Sequence, residues 1–456
     1  MLTALQAYYL CASAILGLFA LYSPRRALLA FVGAIGLNIF PLAVVSYMNM
    51  DIARIGAMPL VYLPATAVGL ALILRNGLHF PKRYSTLYVL IGVFLVYTMC
   101  NTLLLRGWSA PNLAYWLAWP LNLLVFIATA RWVAGMDPAF LNRLLHHLVI
   151  LLVAASLVGL GRYATGFEPD ANFIPLMNRN GTVVLIALLF PLVLHVHQAQ
   201  NKSMLWLIFC GGTIALCVAM TFSRSGLIGL LFGLILYYGR FTLMGMVKFS
   251  LAGLAVVLFL ASGVTERTTE RLLLTGRTIS ALASGEEIDR SVGDRNRALL
   301  VQGAIDTAKQ HIWLGTGLGM ENYRAGLQRS TPLPLNSKSH NFYLSYLAEL
   351  GVFGFVLLLA ILHRIYTYLP PLNSRWRAFR VCFLVTAIMM TMNEYILLPE
   401  LWLFFGLLTG IGRQLATGRY TAMLPGAPLS AAGMTRFPPA TGHAPAHKLA
   451  TGDSRG

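Results

Sequence analysis

The sequence predicts an all-α polytopic membrane protein with about 12 transmembrane helices and one large polar loop. Hydrophobic residues make up 57% of the 456 residues and charged residues only 11%, a balance too apolar for a soluble protein. Apolar stretches recur along the chain at the length that a helix needs to cross a bilayer. One long polar stretch, residues 264–339, interrupts them. Together these observations favour a helical bundle with a single large extramembrane loop.

The candidate spans lie near 4–21, 27–45, 58–74, 84–105, 115–131, 144–160, 182–196, 204–221, 225–238, 244–263, 340–368, 376–393 and 397–415. Some are marginal and the segment 225–238 is short, so twelve and thirteen spans fit equally well. The chain then divides into helices 1–10 over residues 1–263, the polar loop over 264–339 and the C-terminal helices over 340–415. Residues 416–456 are rich in Ala, Pro, Gly and Thr and predict a disordered cytoplasmic tail.

Orientation follows from the lysines and arginines of the short loops. One set of loops carries sixteen and the other set five, so the positive-inside rule places the first set in the cytoplasm. The polar loop then lies outside the cytoplasm. Within it, helical patterning occurs at 264–275 and 294–311, and a glycine-rich turn follows at 315–319. Because no strand precedes this turn, it is weak evidence for phosphate binding.

The net charge of +18 has no nucleic-acid module to explain it, so orientation and anionic ligands, including membrane lipids, are the better explanation. All five cysteines fall inside apolar stretches, which argues against disulfides and zinc sites. The outer loops also carry no Asp-x-Asp pair and no His/Glu cluster with metal-ligand spacing. We therefore expect neither a catalytic divalent ion nor a cofactor.

An anion clamp beside a base is the candidate site. Arg179, Arg224, Arg295 and Arg297 are predicted on the outer side, where orientation disfavours positive charge. Guanidinium groups bind phosphate through two parallel hydrogen bonds, which explains the choice of arginine. Positions two apart on a helix diverge by about 200°, so one of Arg295 and Arg297 should face the site. Arg224 lies between two apolar spans, at the depth of a lipid-borne phosphate.

His340 stands where the polar loop ends and an apolar helix begins, with Ser339 as the expected N-cap. A helix N-terminus favours the neutral imidazole, which can accept a proton. The alternative is a histidine that only anchors an interfacial helix. Its neighbours Lys338 and Asn341 are further candidates for substrate binding.

Three acidic residues compete for a role beside His340. Glu349 falls about 180° around the helix from His340 and roughly 13 Å deeper, so we expect it to make a buried polar contact instead of orienting the imidazole. Glu394 and Glu400, which precede and begin the last candidate span, remain candidate participants on the outer side.

At these residues the chain resembles the bacterial O-antigen ligase and polymerase superfamily of the inner membrane. The shared features are the turn Ser223-Arg224-Ser225-Gly226, then Arg297 with the run from Lys309 to Gly319, then Ser339-His340-Asn341 followed by Leu344, Leu347, Glu349, Gly351 and Gly354. The chain departs from the family at Val301 and Ile312, where the family often has Trp and Pro. These departures leave open which of Arg295 and Arg297 is functional.

The resemblance implies a GT-C-like membrane glycosyltransferase in a Gram-negative inner membrane, with its site facing the periplasm. Such an enzyme transfers O-antigen from undecaprenyl diphosphate to lipid A-core oligosaccharide, inverting the anomeric centre without a metal. His340, Arg224 and Arg297 would be catalytic, and Arg179, Arg295, Lys338 and Asn341 would help to bind the diphosphate or substrate.

Other functions remain open from sequence. An O-antigen polymerase or a protein O-oligosaccharyltransferase shares the same motifs. A transporter or flippase for lipid-linked anions would place ionisable groups near the middle of the membrane or show inverted repeats. Neither feature is evident in the sequence, because the candidate charges gather at one face.

Overall fold

The computed structural model describes residues 4–39, 54–55, 58–59, 63–77, 85–104, 107, 109–166, 179–221, 223–239, 292–330, 338–392, 394 and 396–417, with the backbone alone at some helix positions. These residues form α1 (Ala4–Tyr22), α2 (Pro24–Ile39), α3 (Leu63–Asn76), α4 (Ser85–Met99), α5 (Ala110–Ala134), α6 (Pro138–Ala164), α7 (Arg179–Ala199), α8 (Met204–Met220), α9 (Arg224–Tyr238), α10 (Val292–Gln310), α11 (Met320–Ser330), α12 (Phe342–Thr367), α13 (Arg377–Met389) and α14 (Pro399–Ala416). One two-residue antiparallel pair, β1 (Arg54–Ile55) with β2 (Met58–Pro59), accompanies them.

Four helical segments are long and apolar enough to cross a membrane: Ser85–Leu103, Tyr115–Ala134, Pro138–Ala164 and Phe342–Thr367. Five shorter apolar helices occur among the described residues: Gln6–Tyr22, Leu63–Asn76, Ile186–Ala199, Met204–Met220 and Ser225–Tyr238. Each predicted span within the described residues contains a helix, but the predicted start of span 58–74 is wrong, because Met58 and Pro59 form β2 and the helix begins at Leu63. The predicted span 244–263 and tail 416–456 lie outside the described residues, apart from the last residues of α14. The total number of spans therefore stays a prediction.

Aromatic side chains hold the centre of the bundle together. Trp119 of α5 is fully buried and contacts Phe94 of α4, Tyr346 of α12 and Trp402 of α14, with ring centroids 5.0, 5.7 and 6.1 Å apart. Burial of rings this large contributes much of the packing energy, and edge-on contacts add about 0.5–1.5 kcal/mol each. These contacts fix α12, which follows His340, against the middle of the bundle.

Hydrogen bonds between helix ends show which helices begin and which end on the same side of the bundle. At one end, the amide of Phe342 donates to the carbonyl of Met390 over 2.9 Å, and the hydroxyl of Ser109, just before α5, donates to the carboxylate of Glu321 in the polar loop over 3.3 Å. At the other end, Gln414 donates to the carbonyl of Met136 over 2.7 Å. The polar loop therefore lies at the end where α5, α12 and α14 begin. Its placement outside the cytoplasm stays a prediction.

Within the polar loop, α10 matches the predicted helix at 294–311, whereas the predicted segment 264–275 lies outside the described residues. The sequence pattern did not predict α11. A small apolar cluster joins these helices to α12: Ala304, Ala308, Tyr323, Leu327 and Ala348. Tyr323 and Leu327, four residues apart, form the buried face of α11 and were the available sequence signal. The loop helices thus rest directly on the first turns of α12.

Candidate active site

The turn that carries His340, residues 338–341, differs from the predicted cap. Asn341 is the N-cap of α12, since its side-chain oxygen accepts a hydrogen bond from the amide of Leu344 over 3.1 Å. The prediction that Ser339 caps this helix is wrong. Its hydroxyl instead accepts from the amide of Asn341 over 3.2 Å and bonds the hydroxyl of Ser345 over 2.8 Å. Ser339 therefore pins the turn to α12 from the buried side.

His340 is exposed and adopts a φ of 56°, in the left-handed region. Few residues other than glycine adopt this region, although histidine is among those that do so more often. Such a conformation costs on the order of 1–3 kcal/mol and persists only when neighbouring contacts enforce it. Here Ser339 is held on one side and the amide of Phe342 on the other. An exposed side chain on a strained backbone that hydrogen bonds hold on both sides is typical of a functional site.

Glu394, in the connection between α13 and α14, supports this turn. Its carboxylate accepts hydrogen bonds from the backbone of His340 and the hydroxyl of Ser345, and it lies 3.9 Å from Nζ of Lys338. Burial raises the pKa of Glu394 to about 7, although Lys338 opposes the shift. A carboxyl with this pKa exchanges its proton near neutral pH. Of the three acidic candidates, Glu394 is the one the structure places against the His340 turn.

Lys338 is buried and bound by protein groups. Its ammonium forms an ion pair with Glu349 and donates to the hydroxyl of Tyr115 over 2.7 Å. Burial acts to lower the pKa of Lys338, but the carboxylates of Glu349 and Glu394 and the Tyr115 hydroxyl outweigh it and raise the pKa. The expected buried polar contact of Glu349 is thereby confirmed. The charge predicted to bind diphosphate is already compensated inside the protein.

The glycine-rich turn 315–319 binds α12 where that helix is broken. The amides of Thr316 and Gly317 donate to the carbonyls of Ala348 and Glu349, each over 2.9 Å. At the break Gly351 has a φ of 63° and a ψ of −177°. These two turn amides are used within the protein and are not offered to a phosphate. The turn is thus a structural clamp on the segment that carries Glu349.

A π-helical turn at Cys100–Leu104, after α4, completes this clamp. It brings Asn101 and Thr102 to the loop: Asn101 donates to the carbonyl of Leu314, and the amide of Leu318 donates to the Thr102 hydroxyl over 3.0 Å. π-Helical turns inside helices are rare and are frequent at functional sites. The polar loop is consequently bonded to both α4 and α12.

For the four arginines of the predicted anion clamp, the structure describes the backbone alone. Arg179 begins α7, Arg224 begins α9, and Arg295 and Arg297 lie in the first two turns of α10. A Cβ added at Gly226 would clash with Val183, so α7 and α9 start in close contact. A Cβ added at Gly229 would lie 2.7 Å from the sulfur of Met389, the last residue of α13. The carbonyl of the next residue, Met390, accepts the hydrogen bond from the amide of Phe342. The starts of α7 and α9 therefore share the His340 end of the bundle.

No group of three His, Cys, Asp or Glu side chains converges as a metal site within the residues that the structure describes. The expectation of metal independence stays a prediction. In contrast to metal ligands, the groups around His340 form ion pairs and hydrogen bonds with one another. Lys338 pairs with Glu349 and, over 3.9 Å, with Glu394, and Ser345 bonds both Ser339 and Glu394. This arrangement can hold an imidazole at the surface beside a carboxyl that titrates near neutrality.

Comparison with models of protein families gives a match. No curated protein matches the chain. The family model that does match begins within α8 and ends within α12, so it includes the start of α9, the α10 helix and the His340 turn. Residues 209–359 match the family model described as O-antigen ligase, so this part of the chain is similar to the O-antigen ligase/polymerase superfamily.

Proposed function

We propose that this protein is an O-antigen ligase of the Gram-negative inner membrane. It transfers O-antigen polysaccharide from undecaprenyl diphosphate to lipid A-core oligosaccharide on the periplasmic side. The observation that carries the proposal is the exposed His340, held in a left-handed turn by Ser339, Asn341 and Glu394 within a domain that matches the O-antigen ligase family.

On the acceptor side, His340 removes the proton from a core hydroxyl as its oxygen attacks the anomeric carbon of the donor glycan. A new glycosidic C–O bond forms, and the C–O bond to the diphosphate breaks on the opposite face, so the anomeric centre inverts. The electron pair of the broken bond leaves with undecaprenyl diphosphate. A positioned general base of this kind contributes about 10²- to 10⁴-fold in rate. Glu394 holds the backbone of the base in place.

On the donor side, Arg224 and Arg297, assisted by Arg179 and Arg295, bind the diphosphate and compensate the charge that grows as it leaves. Guanidinium groups suit this role because they stay charged and bind phosphate oxygens in pairs. They replace the divalent ion of a metal-dependent transferase, which makes the reaction metal-independent. The side-chain oxygen of Asn341 caps α12, so its side-chain nitrogen, Nδ2, is the atom that donates to substrate.

A direct test uses the full-length protein in nanodiscs with undecaprenyl-diphosphate-linked O-antigen and purified lipid A-core. We expect glycosylated lipid A-core as the product, with equal rates in EDTA and in magnesium. A longer lipid-linked glycan in place of that product would indicate a polymerase, and a glycosylated peptide acceptor would indicate a protein O-oligosaccharyltransferase. Movement of intact donor between leaflets without any transfer would indicate a flippase and overturn the proposal.

A further inference from the structure

We infer that Lys338 is a positioning residue, whose buried ammonium fastens the His340 turn to the transmembrane bundle through Glu349. This inference rests on the proposed function, since it concerns how the base of that reaction is held. Lys338 acts through His340 and does not itself touch the substrate.

Burial and pairing are the first evidence. The side chain of Lys338 is 9% exposed and that of Glu349 is fully buried, and the two form an ion pair. Lysine is almost never buried to this extent without a partner, because removing its charge from water is costly. Glu349 lies within a helix that is long and apolar enough to cross a membrane. The pair therefore ties the end of the polar loop to the inside of the bundle.

Three tyrosines from three helices surround the same ammonium. The rings of Tyr115 (α5), Tyr346 (α12) and Tyr323 (α11) have their centroids 5.0, 5.1 and 5.9 Å from Nζ. A cation over an aromatic ring is attracted by the negative face of the ring, and more strongly where water is excluded. Lys338 is thus the side chain at which two transmembrane helices, a loop helix and the His340 turn meet.

The connection from this anchor to the imidazole is short. Only Ser339 separates Lys338 from His340, so their Cα atoms lie within about 7 Å of each other. Ser339 is itself buried and bonded to Ser345. With two consecutive residues held on the buried side, the chain turns outward at His340 with a φ of 56°. A displacement of the lysine would therefore reach the imidazole directly.

Lys338 also sets the charge next to the His340 backbone. Its Nζ lies 3.9 Å from the carboxylate of Glu394, which accepts from the amide of His340. The other titratable groups that act on Glu394 or respond to it are Glu349, Tyr346 and Tyr323. Without the lysine, two buried carboxyls would share the site with no cation. Glu394 would then hold its proton to higher pH, because like charges and burial favour the neutral form.

Direct diphosphate binding is the competing role for Lys338. To reach a substrate the ammonium would have to leave Glu349 and the Tyr115 hydroxyl. A fully buried carboxylate would then remain without its cation, which disfavours the exchange.

The test compares Lys338→Met, Lys338→Arg, Glu349→Gln and the doubly neutral Lys338→Met/Glu349→Gln in full-length protein. Lys309→Met, at an exposed lysine of α10, is the matched control. We expect Lys338→Met to lower kcat about 10²-fold, a loss that a displacement of the reacting group by about 1 Å can cause. The donor KM should stay within about 2-fold, because the arginine contacts that set uniform donor binding are untouched. The acid limb of the pH–rate profile should move to higher pH, and Lys338→Arg should bring it back.

Amide hydrogen exchange of residues 338–341 is measured on the same proteins and needs no substrate. Exchange should accelerate in Lys338→Met and Glu349→Gln and stay parental in Lys309→Met. The double variant contains no unpaired charge at this pair, so it should fold while still exchanging fast and transferring slowly.

Parental kcat, pH profile and exchange in Lys338→Met would overturn the inference, as would a raised donor KM at unchanged kcat. If the parent protein transfers nothing, the proposed function fails, while the exchange data still decide whether Lys338 holds the turn.

Discussion

Gly315 of the polar loop and Gly351 of α12 meet backbone to backbone. A Cβ added at Gly315 would clash with the carbonyl of Glu349 and lie 2.5 Å from the amide of Gly351. One added at Gly351 would clash with the carbonyl of Trp313 and lie 2.6 Å from the amide of Gly315. Both glycines also have positive φ, 69° and 63°. The two positions therefore allow the loop to enter the break in α12 next to Glu349.

Substitution at this contact should destabilise the protein. We expect Gly351→Ala to lower the free energy of unfolding by about 2 kcal/mol or more, because alanine is strained at positive φ and its methyl group meets backbone. Tryptophan fluorescence during thermal unfolding measures the change. Gly92→Ala is the control: Gly92 lies in α4 with nothing within 4 Å of an added Cβ, so its variant should unfold at the parental temperature or slightly above. Equal unfolding temperatures for the two variants would contradict a stabilising role for the contact between Gly315 and Gly351.

Loss of the imidazole should affect chemistry and not donor binding. His340→Asn is the sharper variant, since asparagine tolerates the left-handed φ of this position as alanine does not. Single-turnover transfer should fall about 10²- to 10⁴-fold with donor affinity unchanged. His363→Asn, at an exposed histidine of α12, serves as the control and should transfer normally. Transfer by His340→Asn at the parental rate would reduce the histidine to an interfacial anchor.

Removal of a clamp arginine should weaken donor binding as well as turnover. We expect Arg224→Ala to raise the donor Kd and lower kcat, because the guanidinium contacts the diphosphate both before and during bond breaking. Arg162→Ala is the control, because Arg162, at the end of α6, is one of the five basic residues counted on the outer side, and it should leave both values unchanged. A fall in kcat alone for Arg224→Ala would remove it from the donor site.

The raised pKa of Glu394 predicts a pH dependence of stability. Between its ordinary value of 4.5 and about 7, the folded protein holds the Glu394 proton more tightly than the unfolded chain does. The contribution of Glu394 to stability is therefore greatest below pH 4.5 and declines as the pH rises through 7. One pKa unit corresponds to about 1.4 kcal/mol, so the full change is on the order of 3 kcal/mol.

Glu394→Gln should remove this decline, because glutamine does not titrate. Relative to the parent, the variant should gain stability from pH 5 to pH 8 in thermal unfolding. Glu321→Gln, in the first turn of α11, controls for general charge effects. A parent-to-variant difference that stays constant with pH would show that Glu394 is ionised throughout.

The positions of the long apolar helices could be predicted from the sequence alone, whereas the polar α11 could not. Bilayer thickness sets the length of an apolar span, and that length is visible locally; α8 and α9, for example, begin and end within one residue of their predicted limits. His340 and the arginines could be singled out for a similar reason, since charged groups are conspicuous at the borders of apolar stretches. The cap of α12 could not be predicted. Ser339 and Asn341 are both good N-cap residues, and only the left-handed φ of His340 decides between them.

Tertiary structure alone decided which remote residues meet. Lys338 and Glu349 are eleven positions apart, and Glu394 joins His340 from 54 positions away. No local periodicity encodes such pairs, because they depend on how α5, α12 and the connection before α14 pack at one end of the bundle. The same packing places the glycine-rich turn, which from sequence was a weak candidate for phosphate binding, against the backbone of α12 at Gly351. It also directed the Lys338 ammonium inward, because a cation beside a fully buried carboxylate offsets the cost of removing that charge from water.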